Sequence, residues 1–398
     1  LYEEIELPLV YVLYKMEENG IFCDEKELDE IASDTAAKIT TLEERIYHSV
    51  GHTFNIASPK QLAEVLFAEL DLPDLKKGST NAEVLNKLIH YHPVVSDILE
   101  YRKYTKLYST YAEGLKKYIR EDGKIHTVFT QMITQTGRLS SYDPNLQNIS
   151  VRDDESREIR KAFKPDEGHV LMSSDYSQVE LRVLASLSKE EKMIDAFNSG
   201  IDIHTKTAMD VFGLKKEEVS EIDRRHAKAV NFGVVYGISD FGLANQTQLS
   251  FADAKQYIDN YFNTYPKIKQ YLDAQVEFCK ENGYVKTMLN RRRYIREIND
   301  RNYMMREFGK RAAMNATIQG SAADLIKLAM VKADRRLKEE GLQSKLLLQV
   351  HDELIFDVPE NEIEIMKKIL PEIMSGAYAM KTRLDCSLAI GKDWYEAK

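Results

Sequence analysis

Two acidic segments hold the residues best placed to do chemistry. Ser173-Ser174-Asp175-Tyr176-Ser177-Gln178 opens as a strand and passes into a helix with Leu181, Leu184 and Leu187 at helical spacing, which leaves Asp175 at a strand end. In the second, the apolar runs 345–350 and 353–358 predict a β-hairpin turning on His351-Asp352, an unusual pair for a turn without glycine, with Glu353 next to it. A single aspartate at a strand end ordinarily only caps or turns the chain. Two such sites on one sheet can together hold two divalent ions roughly 3.5 to 4 Å apart, one activating an attacking oxygen and one stabilising a leaving oxygen. The corresponding reaction class is phosphoryl transfer, where catalysis is chiefly positioning and charge neutralisation.

A cationic stripe lies between these segments. Residues four apart on a helix are displaced by about 40°. A helix through Arg224-Arg225-His226-Ala227-Lys228-Ala229-Val230-Asn231-Phe232 therefore presents Arg224, Lys228 and Phe232 on one face, with Tyr236 near its edge. Two cations at that spacing repel by about a few tenths of a kcal/mol, a penalty that an anion would reverse. A triphosphate over the pair with a flat base against Phe232 accounts for the order of residue types; the plainer alternative is a surface helix with a chance basic pair and a core phenylalanine. Upstream, the polar, turn-rich stretch Thr136 to Ile149 holds Arg138, Asn145 and Gln147. Side chains of these types can bond the acceptors shared by all base pairs in a minor groove, although a loop with proline and asparagine needs no function.

The elements that must position these residues are legible in outline. Residues from 1 to about 120 read as long, mostly acidic helices, and Ser58-Pro59-Lys60-Gln61 reads as an N-cap with a capping box. Strands are predicted at 126–131 and 169–173, helices between 190 and 340, and the hairpin after that. Helix, sheet, helix, sheet suggests a helical insertion in an α+β unit.

Composition narrows the classes. With 398 residues, 43% hydrophobic and 30% charged, the chain is an ordered protein with room for two or three compact units. No apolar run approaches the roughly 20 residues that cross a bilayer, and the acidic start LYEEIELPLV is unlike a signal peptide. Three scattered cysteines fit a reducing cytoplasm. A net charge of −9 argues against whole-surface attraction to nucleic acid, so any such site is local. Arg291-Arg292-Arg293, Arg224-Arg225 and the tyrosine-interleaved run with Arg102, Lys103, Lys106, Lys116 and Lys117 are candidate patches.

Taken in order and spacing, DYSQVELR, RRHAKAVNFGVVYG and VHDE, preceded by TGRLSS and DPNLQNI, resemble the motifs of family A DNA polymerases of the bacterial DNA polymerase I type. ELPLVYVLYKMEENGI, SPKQLAEVLF, GIDIHTKTAMDVF and MNATIQGSAADLIK are similar to family segments too, so the likeness covers nearly the whole chain. The resemblance implies an α+β right-hand fold with an antiparallel-sheet palm, helical fingers and a helical thumb. Its domains would be a palm base at 1–20, thumb at 21–118, palm at 119–195, fingers at 196–335 and palm at 336–398. The implied partners are primer-template DNA and dNTPs, handled by a monomer that touches no membrane.

The resemblance also implies roles. Asp175 and Asp352 would bind two Mg²⁺ ions, with Mn²⁺ as the alternative, aided by the backbone carbonyl of Tyr176 and supported by Glu353. Arg224 and Lys228 would grip the triphosphate, Lys228 also giving a proton to pyrophosphate. Phe232 would pack on the incoming sugar and base, and Tyr236 would hold the template-base position until the fingers close. Glu180 would exclude a ribose 2′-OH, with Gln178 and His204 lining the same pocket. Arg138, Asn145, Gln147, Arg311, Asn315, Gln319 and His351 would read or brace the duplex. Phe232 in place of tyrosine implies discrimination against dideoxynucleotides.

The chain departs from the family pattern at Ser150, where proline is usual, at the shorter connector around Gly78, and at Arg296-Glu297. No proofreading or 5′ nuclease site is assignable, so primer extension without degradation of a mismatched 3′ end is expected, in replication gap filling and repair. Competing readings are substantial copying of RNA templates, a catalytically silent DNA-binding module, and a metal nuclease that would have no use for the cationic stripe.

Overall fold

In the computed structural model, which describes residues 1–149, 154–247 and 249–398, Asp175 is the penultimate residue of the second strand of a four-stranded antiparallel sheet. The strand order is Cys386–Gly391, His169–Tyr176, Glu353–Pro359 and Lys345–Val350. The last two strands form the predicted hairpin around the two-residue turn His351-Asp352. Every residue of Glu353–Pro359 is buried, because Ile363–Ser375 packs across this strand and its neighbour His169–Tyr176. Leu171, Met172, Leu354, Ile355 and Phe356 have no exposed surface, and burial of side chains this size stabilises by roughly 1.5–3 kcal/mol each. The sheet is therefore a stiff platform.

A smaller sheet, Lys124–Ile125, Ile21–Cys23 and Phe163–Lys164, ties the start of the chain to this platform. From Asp24, whose side chain caps Glu25–Val50, the chain leaves the platform. The segment beyond has its own core of Leu42, Ile46, Leu62, Leu66, Leu85, Val94, Val95 and Ile98, separate from the main core. The helix at Pro59–Ala63 has the expected Ser58 cap, but Gln61 Oε1 accepts from Asn55 N at 2.7 Å rather than from the cap residue, so the capping box is not closed.

The helical region comprises Ile203–Phe212, Glu221–Val235, Phe251–Thr264, Pro266–Asn282 and the 37-residue Tyr303–Glu339. Ser220 and Asp223 close a reciprocal capping box at the start of Glu221–Val235. The expected helical run is broken by a short hairpin, Tyr284–Lys286 with Arg292–Tyr294, entered through Gly283 at φ 76°. This hairpin corrects one candidate patch. Arg291 is drawn inward to Glu6 and to Asp324, the latter at 2.6 Å, while the fully buried Lys327 reaches Glu6 at 2.9 Å. A guanidinium already shared by two carboxylates has little left for a phosphate.

Three of the five cations of the tyrosine-rich patch are similarly committed. Arg102 donates to Thr80, Lys103 pairs with Glu155 at 2.6 Å, and Lys116 lies within 2.7 Å of both Asp29 and Glu113. Among the described residues, no helix is long and apolar enough to cross a membrane.

Candidate active site

Sheet register brings the two acidic segments together. Asp175 is directly opposite Glu353, and Tyr176 N donates to the Asp352 carbonyl at 3.1 Å. Residues facing each other across an antiparallel pair project to the same side. Asp175 and Glu353 thus share a face, with Asp352 on the adjoining turn. Two residues at this edge are left-handed without being glycine, His351 at φ 56° and Gln178 at φ 52°. Such backbone costs of order 1–3 kcal/mol per residue and persists where the surroundings over-determine it. Here it re-aims the chain at both strand ends, one turning into Asp352 and the other into the helix Val179–Ser188.

The electrostatics separate the three acids. Glu353 is fully buried, with Lys398 Nζ at 3.0 Å and the equally buried Arg160 Nη1 at 3.7 Å from its Oε2. Arg160 is stacked 4.0 Å from the Trp394 ring centre, and burial pulls its guanidinium down to about 10. Among the described residues the Asp175 carboxylate pairs only with Lys398, at 3.8 Å, and the Asp352 carboxylate makes no hydrogen bond or salt bridge. Burial raises both carboxyls to about 6; Lys398 opposes the rise at Asp175 and Arg138 at Asp352, while Glu353 adds to the first and Glu180 to the second. Two under-compensated carboxylates at one sheet edge are hard oxygen donors that suit a small divalent cation, whose charge would reverse both costs. Tyr176 can contribute only its backbone to such an ion, since its hydroxyl is spent on the Met374 carbonyl at 2.7 Å.

A second carboxylate–imidazole cluster, Asp166, His169 and Asp357, sits at the other end of the same strands. Its charge is already met within the protein. His169 Nδ1 is 2.6 Å from Asp357, and Asp166 holds Lys124 at 2.5 Å and Lys345 at 3.6 Å.

Glu180, on the first turn of Val179–Ser188, is buried and accepts from Arg138 Nη2 at 2.6 Å, while its Oε2 has no partner. Gln178 Oε1 beside it is also buried without one. Tyr236 ends the helix Glu221–Val235, and burial with the nearby Glu180 carboxylate pushes its phenol up. On that helix Arg224, Lys228 and Phe232 do share a face, with Lys228 exposed and Phe232 half-buried. Behind Phe232, at 5.7 Å between ring centres, lies the buried His204. Desolvation brings its imidazole down to about 4, so it is neutral near pH 7. Its Nδ1 meets Asn231 at 3.1 Å, and Asn231 in turn bonds Thr207. Phe232 and Tyr236 border a cleft of about 450 Å³ closed on its far side by Arg311.

The long helix Tyr303–Glu339 places Arg311, Asn315 and Gln319 one turn apart along one face, spanning about 12 Å. Asn315 Nδ2 reaches the Val235 carbonyl at 3.4 Å. Gly237 at φ 64° lies against Arg311, where a Cβ would come within 3.1 Å of Arg311 Cγ. Asn145 Oδ1 caps Gln147 N at 3.0 Å, and Gln147 Nε2 bonds Gln349 at 3.0 Å. Gln349 then donates to the His351 carbonyl, so a chain of amides braces the hairpin turn. His351 itself is exposed; its imidazole is held low by partial burial and by Arg138 and Lys398. Ser150 lies outside the described residues.

The expected residues thus lie on the sheet edge and the helix that follows it (Asp175, Tyr176, Gln178, Glu180, His351, Asp352 and Glu353), on Ile203–Phe212 and Glu221–Val235 with its cap (His204, Arg224, Lys228, Phe232 and Tyr236), on the long helix (Arg311, Asn315 and Gln319) and in the 136–149 stretch (Arg138, Asn145 and Gln147). Sequence reasoning missed Arg160, Trp394, Lys398, Gln349, Asn231 and Asp202. Two carried signals: Trp394 is the sole tryptophan, and Gln349 is a polar residue inside an apolar strand. Arg160 and Lys398 carried none, since their partner Glu353 is 193 and 45 residues away along the chain.

Comparison with known proteins follows the same lines. The profile of DNA polymerase family A matches residues 25–396. DNA polymerase I of Bacillus subtilis is 50% identical over 404 residues and that of Lactococcus lactis subsp. cremoris 52% over 403, each matching 100% of this chain. The chain spans about half the length of these curated relatives, 46% in both cases. A solved structure described as the POL domain of Pol1 from M. smegmatis in complex with DNA primer-template and dNTP superposes with a TM-score of 0.94 at 42% identity, covering 99% of this chain and 70% of that one.

Proposed function

Because the chain belongs to DNA polymerase family A, we propose that it extends a primer 3′ end on a DNA template by adding dNMPs from dNTPs, in gap filling and repair. The observation that carries this reading is the register that sets Asp175 opposite Glu353 and ties Tyr176 to Asp352. The proposed hand has its palm on the four-stranded sheet, its thumb at 21–118, where the separate core lies, and its fingers on the largely helical region 196–335. The superposed Pol1 domain, solved with primer-template and dNTP, supports the choice of partners.

In this reading Asp175 and Asp352, with the Tyr176 carbonyl, hold divalent cations, magnesium first and manganese as the alternative. When bound, the ions lower the cost of charge on the attacking primer oxygen and the departing pyrophosphate. Glu353, whose Oε2 is met by Arg160 and Lys398, supports the edge. Arg224 and Lys228 take the triphosphate, and the exposed Lys228 ammonium is free to give a proton to pyrophosphate. Phe232, backed by neutral His204, offers a flat wall to sugar and base. Tyr236 rests beside Glu180 in the template-base position until a nucleotide arrives.

Glu180 is buried beside Tyr236, and the Arg138 bond keeps its carboxylate from swinging away, so a ribose 2′-OH would meet a fixed acid. Gln178 lines the same space. Arg138, Arg311, Asn315, Gln319 and His351 border the path of the duplex, with Asn145 and Gln147 bracing it through Gln349.

The test is primer extension by the purified chain with each dNTP and each rNTP, before and after chelation of divalent cations. Template-directed extension that requires the cation and prefers dNTPs is the expected result. Cation-independent extension, or none on any primed template, would sink the assignment.

A further inference from the structure

Arg224 is already engaged. Its Nε and Nη2 donate to the two oxygens of Asp202, at 3.2 and 3.0 Å, in the forked geometry that a guanidinium also offers a phosphate. Asp202 is not free to follow it. The same carboxylate caps the helix Ile203–Phe212, Oδ1 accepting from Thr205 N at 2.8 Å and from Thr205 Oγ1 at 2.9 Å. Two residues on, in the same helix, His204 supports Phe232, so a single element holds both the cation and the ring of the stripe. Lys228, by contrast, has no salt-bridge partner among the described residues.

We propose that Asp202 is a specificity-determining residue: an anchored carboxylate that competes with the nucleotide triphosphate for Arg224. This rests on reading Arg224 as a triphosphate ligand. Arg224 cannot serve both anions with the same two donors, and the cap fixes where Asp202 stays. A nucleotide recruits Arg224 only when its other contacts position the triphosphate well enough to outbid the carboxylate. A correctly paired base meets that threshold more readily than a mispaired one. The pair is two-fifths exposed on each side, which makes it a weak lock. A weak lock suits a contact that must open in every cycle.

Asp202→Asn separates the charge from the cap, because asparagine is as good an N-cap as aspartate. The dNTP affinity of the protein–primer-template complex, measured with a fluorescent primer at low and high salt, should tighten about three- to five-fold at low salt. The gain should be larger for a mispaired nucleotide, shrink as salt rises, and vanish in Asp202→Asn/Arg224→Ala. Unfolding of the single variant, followed by circular dichroism, should stay near the parent, and Asp202→Ser supplies a second uncharged cap if it does not. Unchanged or weaker dNTP affinity in both capped variants, with Arg224→Ala alone weakening it, would mean that Asp202 positions Arg224 rather than competes for it, and the proposal would be wrong. If Arg224→Ala also leaves affinity untouched, the triphosphate reading of Arg224 fails and takes this inference with it.

Discussion

The acidic sheet edge and the cationic helix handle like problems in opposite ways. At the edge, charge is largely buried and fixed by strand register: Glu353 is paired with Arg160 and Lys398, and the turn is braced by Gln349. On the helix Glu221–Val235, Lys228 is exposed, and Arg224 has one partner in a half-exposed pair. Desolvated charge holds geometry, whereas solvated charge is exchangeable at about a kcal/mol or less. An enzyme that must hold metal ligands still while recruiting and releasing a triphosphate needs both.

That contrast can be broken experimentally. Asp352→Asn should reduce primer extension on the order of 10³-fold or more, since several kcal/mol of transition-state charge stabilisation pass through this carboxylate. Single-turnover rates would show it, and a loss under ten-fold would contradict the role of the edge. Arg160→Leu leaves Glu353 buried with one cation and should cost about 3 kcal/mol of stability, read from urea unfolding. Lys228→Ala is the mirror image, with stability within about 0.5 kcal/mol of the parent but a loss of about 10²-fold in kcat/KM. If these two cationic variants behaved alike in both assays, the distinction between fixed and exchangeable charge would fail.

A smaller effect tests the support behind Phe232. His204 is buried neutral, with its imidazole at about 4 instead of the ordinary 6.5. Its folded pKa is depressed, so its contribution is complete above about 6.5 and is lost as pH falls toward 4. Between pH 7 and 5 that amounts to about 2 kcal/mol. Denaturation midpoints at both pH values should differ less in His204→Gln than in the parent; equal pH sensitivity would show that His204 does not titrate in this way.

Local chemistry made much of this legible without coordinates. The i, i+4, i+8 spacing placed Arg224, Lys228 and Phe232 on one face because helix geometry is a property of the segment itself, and the helix Glu221–Val235 obeys it. The hairpin about His351-Asp352 was readable from two apolar runs separated by two polar residues. The broken helical run at Tyr284–Tyr294 was not, because Arg291-Arg292-Arg293 looks solvated until Asp324 and Glu6 are found beneath it.

What the sequence alone determined is the identity of the acids, the cations and the ring, together with the local elements that carry them. Only tertiary structure decided which charges are available. Glu353 and Arg291 are paired with residues distant in the chain, Asp352 has no partner among the described residues, and Arg224 is held by Asp202. Periodicity acts over a few residues and is written in them, but desolvation and pairing depend on what the rest of the chain brings alongside, which no local pattern encodes.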